Sequence, residues 1–129
     1  MARSLNRVDL LGWLGGDARI RTFDDGSSVG EVSLATEHGR KNASGEWETA
    51  TDWHAVRIQE ARPAAAVLVK GARVHLTGRL RTRSWESEDG ETRRRTEVAC
   101  HARDVIVVSL PKDGAAPDGA APEDDYEGP

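Results

Sequence analysis

The run Gly78-Arg79-Leu80-Arg81-Thr82-Arg83-Ser84-Trp85 alternates a cation with a small, polar or apolar residue and ends in an indole. In extended backbone, successive side chains point to opposite faces. Arg79, Arg81, Arg83 and Trp85 therefore share one face, while Gly78 and Leu80 look the other way. The stretch Thr51-Asp52-Trp53-His54-Ala55-Val56-Arg57-Ile58 repeats the theme: Trp53 and Arg57 lie opposite Val56 and Ile58. Two strands thus each present a tryptophan and an arginine on the side away from the core. A merely solvated face would explain the arginines but not Trp85, because an exposed indole works against solubility unless something covers it.

That pairing suits a single-stranded polynucleotide. Guanidinium groups track phosphates, and aromatic rings stack on unpaired bases for roughly 1–3 kcal/mol each. Every base has a π-face, so little sequence preference is expected. Affinity should fall with salt, with a log–log slope of about −0.7 per phosphate neutralised. A duplex reader would need a recognition helix or a basic ribbon, and neither is visible. Arg93, Arg94 and Arg95 cannot all face one way in a strand; Arg93 and Arg95 share a side, which adds Arg95 to the candidate phosphate contacts.

Other constellations read as structure. Glu86, Glu88, Asp89 and Glu91 surround the turn Asp89-Gly90, an acidic hairpin end and not a cation site. His38, His54, His75 and His101 have no zinc-motif spacing. There is no nucleophile–base arrangement and no phosphate-cradling glycine loop, so no cofactor, no metal and no enzymatic activity are expected. A nuclease would have to hold metal in the acidic turn. Cys100 is the single cysteine, which excludes an intrachain disulfide. Its neighbours Val98 and Ala102 mark the inward side of a strand, so it reads as a buried, inert thiol.

Strands must position these residues. Residues 6–14 carry Val8, Leu10, Gly12 and Leu14 on one face; a short strand over 18–23 follows, then the turn 24–27. Strands are expected at 28–36, 51–58, 72–85 and 92–108. The stretch Glu37 to Glu48 reads as a polar loop, and Val74, Leu76, Gly78 and Leu80 as inward. Residues 60–71, with Pro63, an alanine run and Gly71, form the one helical candidate. Roughly five long strands, a short helix between the third and fourth, and internal glycines (Gly12, Gly30, Gly78) predict an all-β, five-stranded oligonucleotide-binding (OB) barrel.

Net charge is −4, which alone argues against a nucleic-acid binder, but its distribution is uneven. Residues 110–129 hold six acids and one base, leaving 17 bases and 16 acids in residues 1–109. The acidity belongs to the tail. The expected organisation is a binding domain at 1–110 and a disordered acidic Pro/Gly/Ala tail at 111–129. No stretch has the length or apolarity of a signal peptide or a transmembrane helix, so a cytoplasmic, nucleoid-associated protein with no membrane partner is expected.

Taken together, residues 6–21, Ser33–Thr36, Thr51–Val56, Val69–Trp85 and Asp89–Val98 resemble the bacterial single-stranded-DNA-binding protein family in order and spacing. The resemblance implies an OB fold, a homotetramer, and non-catalytic coating of single-stranded DNA in replication, recombination or repair. It implies stacking roles for Trp53 and Trp85 and a subunit contact for His54. The family's loop tryptophan after residues 34–36 has no counterpart, and Gln59 stands where a phenylalanine is usual. Trp47, in the same loop, is a partial substitute or an ordinary loop residue; Trp13 stands where the family has a small polar residue and reads as packing or interface. The family's acidic tip docks replication and repair proteins. Here Asp124, Asp125 and Tyr126 offer charge and one anchor, without the apolar end. A specialised paralogue with a mainly protein-interaction role, in DNA uptake or segregation, is the alternative.

Overall fold

Alternation of apolar and polar residues makes strands of nearly the whole described chain, and four of those strands run in two pairs past the core they build. The computed structural model describes residues 3–111. In chain order the strands are β1 (Val8–Leu14), β2 (Arg19–Thr22), β3 (Ser28–Lys41), β4 (Trp47–Gln59), β5 (Arg73–Glu86), β6 (Thr92–His101) and β7 (Val105–Ser109). They pair in the order β1-β3-β4-β6-β5, and β5 returns to β1, which closes the expected five-stranded barrel. All ring pairings are antiparallel except β4–β6. β2 lies off the ring against β3.

Register sets which side chains face out. The β3–β4 and β5–β6 ladders run without a shift, Val29↔Gln59 through Lys41↔Trp47 and Arg79↔Ala99 through Glu86↔Thr92. Odd residues pair with odd around the whole ring. The inward positions are even-numbered: Leu14, Val32, Leu34, Val56, Ile58, Val74, Leu76, Val98 and Cys100 form the buried core. Side-chain alternation with a period of two makes the odd positions outward. Closure brings backbones close together at inward glycines. A Cβ on Gly12 would sit 2.0 Å from the Ala35 carbonyl oxygen, and one on Gly78 2.5 Å from that of Ala99. No side chain fits at either place.

The helical candidate at 60–71 is reduced to one 3-10 turn, Arg62–Ala64, with Pro63 inside it and no side-chain cap. So short a segment lacks the length to propagate an α-helix, but it performs the plugging role. Ala61, Leu68 and Ala72 join the core, and backbone bonds Ala18 N–H to Leu68 O and Gly71 N–H to Leu14 O tie the plug to the end of β1.

Three further expectations change. The polar stretch 37–48 is mostly ladder: β3 and β4 continue as a two-stranded arm, and only the turn at 42–46 is loop, its Asn42 carboxamide accepting from the N–H groups of Ser44 and Glu46. The last strand is broken by a 3-10 turn at Ala102–Asp104, after which β7 resumes along β5. Leu80, expected inward, is 50% exposed. It lies beyond Gly78, where β5 leaves the core to form an arm with β6, so an even number there no longer means burial. Its backbone is clasped by the Asn6 carboxamide through both N–H and C=O. No helix among the described residues is long and apolar enough to cross a membrane. Residues 112–129, with Asp124, Asp125 and Tyr126, lie outside the described residues.

Candidate nucleic-acid interface

The outward positions of β4, β6 and β5 form one continuous surface. Arg57 pairs with Ala99, and Ala99 with Arg79. Along the β5–β6 arm, Arg81 stands opposite Glu97, Arg83 opposite Arg95, and Trp85 opposite Arg93. Trp53 lies on the same side of β4, four residues before Arg57. The structure therefore brings Trp53, Arg57, Arg79, Arg81, Arg83, Trp85 and Arg95 to one face, with both indoles half-buried and neither sealed in the core.

Their electrostatic settings differ. Arg57 is held by Glu31 at 3.2 Å, with the two side chains 17% and 12% exposed. Arg83 is held by Glu97, a carboxylate buried under the arginine row, and its guanidinium also lies 5.2 Å from the centroid of the Trp85 ring. These two arginines are fixed in place, and Arg83 shoulders the indole. Arg93 reaches Asp89 across the hairpin turn at 3.5 Å. Arg79 and Arg81 carry no ion pair among the described residues, so their charge is open to an anion. Asp89 is a turn cap: the Ser87 hydroxyl, followed by the Glu91 N–H and Arg93, holds its carboxyl below the usual carboxylate range.

His54 lies on the opposite side of β4 from Trp53, with its Nε2 2.8 Å from the Thr36 hydroxyl. Cys100 is buried in the core, and desolvation, with a smaller push from Asp104, raises its thiol to about 12.

Two aromatic residues reach this face that sequence patterning did not place there. Trp13 stands opposite Ala35, and Ala35 opposite Trp53, so the two indoles flank one fully buried alanine. Trp13 is capped by the Arg73 guanidinium 5.2 Å from its centroid; the Arg73 Nε is buried without a hydrogen-bond partner. Phe23, at the start of the β2–β3 turn, is 43% exposed. It lines a groove of about 460 Å³ together with Arg57, Gln59, Arg81 and His101. Period-two reading could place Trp13 outward but not beside Trp53, which needs register; Phe23 sits in a turn and has no period. Trp47, at the tip of the β3–β4 arm, is 71% exposed, with the Lys41 ammonium 5.9 Å from its ring. It has the same outward parity as Trp53.

Comparison with known proteins bears on the family and the fold. Residues 5–106 match the model of the single-strand binding protein family. The chain is similar to the single-stranded DNA-binding protein 1 of Chlorobaculum tepidum, 40% identical over 103 residues, which span 78% of this chain and 64% of that relative's length. Among solved structures it resembles the Plasmodium falciparum SSB complex with ssDNA, with a TM-score of 0.72 and 30% identity, covering 84% of this chain and 99% of that one. It also resembles a deletion mutant of the single-stranded DNA binding protein from Thermus aquaticus, with a TM-score of 0.69 and 29% identity, covering 84% of this chain and 53% of that one.

Proposed function

This chain belongs to the single-strand binding protein family, and from that premise we propose that it binds single-stranded DNA without sequence preference and without catalysis. The observation that carries the reading is the shared outward side of Trp53 and Trp85, with Arg79 and Arg81 beside them and in no ion pair among the described residues. Bases stack on the two indoles, and phosphates run along Arg79, Arg81 and Arg95. Arg57 and Arg83, already paired, act more through their guanidinium planes and by bracing the surface than as open cations. Trp47, carried out on the arm, supplies the loop ring.

Assembly belongs to other surfaces. Leu11, His75 and Ile106 form an outward row across β1, β5 and β7, with Leu11 46% and Ile106 61% exposed. A second copy of the chain covers this row in a homotetramer, and His54 contributes to a subunit contact from the side of β4 away from Trp53. Such a protein works where chromosomal single strands are exposed, in replication, recombination and repair, at the nucleoid in the cytoplasm. Docking of replication and repair proteins through Asp124, Asp125 and Tyr126 belongs to the same reading.

The test is a salt titration of oligo(dT) binding with the double variant Trp53→Ala and Trp85→Ala. Loss of two stacked bases removes roughly 2–6 kcal/mol, which abolishes binding at moderate salt. Wild-type affinity in the double variant rejects these indoles as the platform.

A further inference from the structure

Phe23 is a large apolar ring held rigidly in the open. The turn that carries it is closed by Phe23 N–H to Ser27 O at 2.8 Å and Gly26 N–H to Phe23 O at 2.9 Å. The Asp25 carboxylate accepts from both the Ser27 N–H and its hydroxyl, and Gly26 takes φ +89, where an L side chain would be strained. Yet the ring remains 43% exposed. It forms one wall of the 460 Å³ groove, whose other walls include Arg57, Gln59, Arg81 and His101. Of the two arginines, Arg57 is committed to Glu31, while Arg81 has no ion pair among the described residues. The acid on the rim, Glu60, turns its carboxylate to the Ser28 N–H at 3.3 Å.

A flat apolar ring, an open guanidinium and polar edges around a groove of this size match the parts of one nucleotide. We propose that Phe23 and Arg81 form a nucleotide subsite: one base stacks on the Phe23 ring, its phosphate is met by Arg81, and Gln59 and His101 face the base edge. The ring absent from β4 at Gln59 is thereby supplied across the groove from the β2–β3 turn. This rests on the reading that the arginine face binds single-stranded DNA. It adds that the strand continues past β4 to that turn.

Titration of the full chain with oligo(dT), followed by tryptophan fluorescence, separates the two ideas because Phe23 is not an indole. Phe23→Ala is expected to weaken binding about 5- to 150-fold, the affinity equivalent of one stacked base. The maximal indole quench and the thermal melt should stay as in wild type. Phe23→Leu keeps apolar bulk without a π-face and should remain weak; Phe23→Trp should restore affinity and add quench. Arg81→Ala should lower the salt slope by about 0.7. Wild-type affinity in Phe23→Ala, or full rescue by Phe23→Leu, overturns the subsite while leaving the platform intact. A wild-type chain that neither binds nor quenches overturns both.

Discussion

Trp13 and Trp53 stand on either side of Ala35, each opposite it in register, and the alanine between them is fully buried although it occupies an outward position. Ala35 sets only a methyl group between the two indoles across three strands. The two are not equivalent. Trp13 is capped by Arg73 on its far side, whereas among the described residues no such cation lies over Trp53.

This asymmetry predicts different losses on truncation. Trp13→Ala removes apolar burial and a cation–π contact and should lower folding stability by about 1–3 kcal/mol. Trp53→Ala should cost less stability and more binding, about 1–3 kcal/mol of affinity for oligo(dT). Urea unfolding and fluorescence titration of both single variants read the two effects separately. Equal stability of Trp13→Ala and wild type would contradict the structural role given to that ring.

The arginine row divides in the same manner. Arg83 neutralises Glu97, which is only 5% exposed. Removing one partner of a buried pair leaves an uncompensated charge, a loss of roughly 3–5 kcal/mol. Arg83→Ala should therefore unfold at markedly lower urea than wild type. Arg79→Ala, which disturbs no ion pair, should unfold as wild type does and instead reduce the salt slope of binding by about 0.7. Should Arg79→Ala leave that slope unchanged, this position makes no phosphate contact.

Cys100 gives a pH prediction. Burial raises its thiol from 9.0 to about 12, so the folded state holds this proton more tightly than the unfolded chain does. The associated stability is complete below pH 9 and fades as pH climbs from there toward 12. At pH 8 to 9 the native thiol should resist iodoacetamide, then react fully once guanidinium unfolds the chain. Rapid native labelling, read by mass spectrometry, would place the thiol outside the core.

Period-two alternation made the faces of β4 and β5 legible, because a ladder without bulges preserves parity from one strand to the next. It misled at Leu80, where alternation continues past Gly78 but the core beneath it has ended. The arm at 37–48 read as loop because both its faces meet solvent and no alternation of apolar residues marks an inward side; its hydrogen bonds were invisible to a pattern of hydrophobicity. Trp13 and Ala35 needed register, a property of two strands at once. Phe23 needed tertiary folding, since its turn meets Gln59 and Arg81 only after the barrel closes. The 3-10 break at Ala102–Asp104 carries no proline or glycine, and its one side-chain signal, the His101 ring accepting from the Arg103 N–H, is ordinary in sequence.

The row Leu11–His75–Ile106 leads to the remaining prediction, on assembly. Its members are outward on β1, β5 and β7, and Val108, also on β7, is 53% exposed beside them. Leu11 on β1 and Ile106 and Val108 on β7, on either side of His75, are better covered than wetted, and the arginine face offers them nothing. A second copy of the chain, presenting the same row about a two-fold axis, meets like with like, as a self-complementary interface requires. Ile106→Asp should therefore shift the mass measured by light scattering to a smaller species. The barrel should stay folded, because Ile106 contributes nothing to the core. DNA affinity per subunit should change little on short oligo(dT) and more on long oligo(dT), where several subunits share one strand. An unchanged mass for Ile106→Asp would place the subunit contact elsewhere, with His54 and Thr36 on β4 and β3 the next surface to examine.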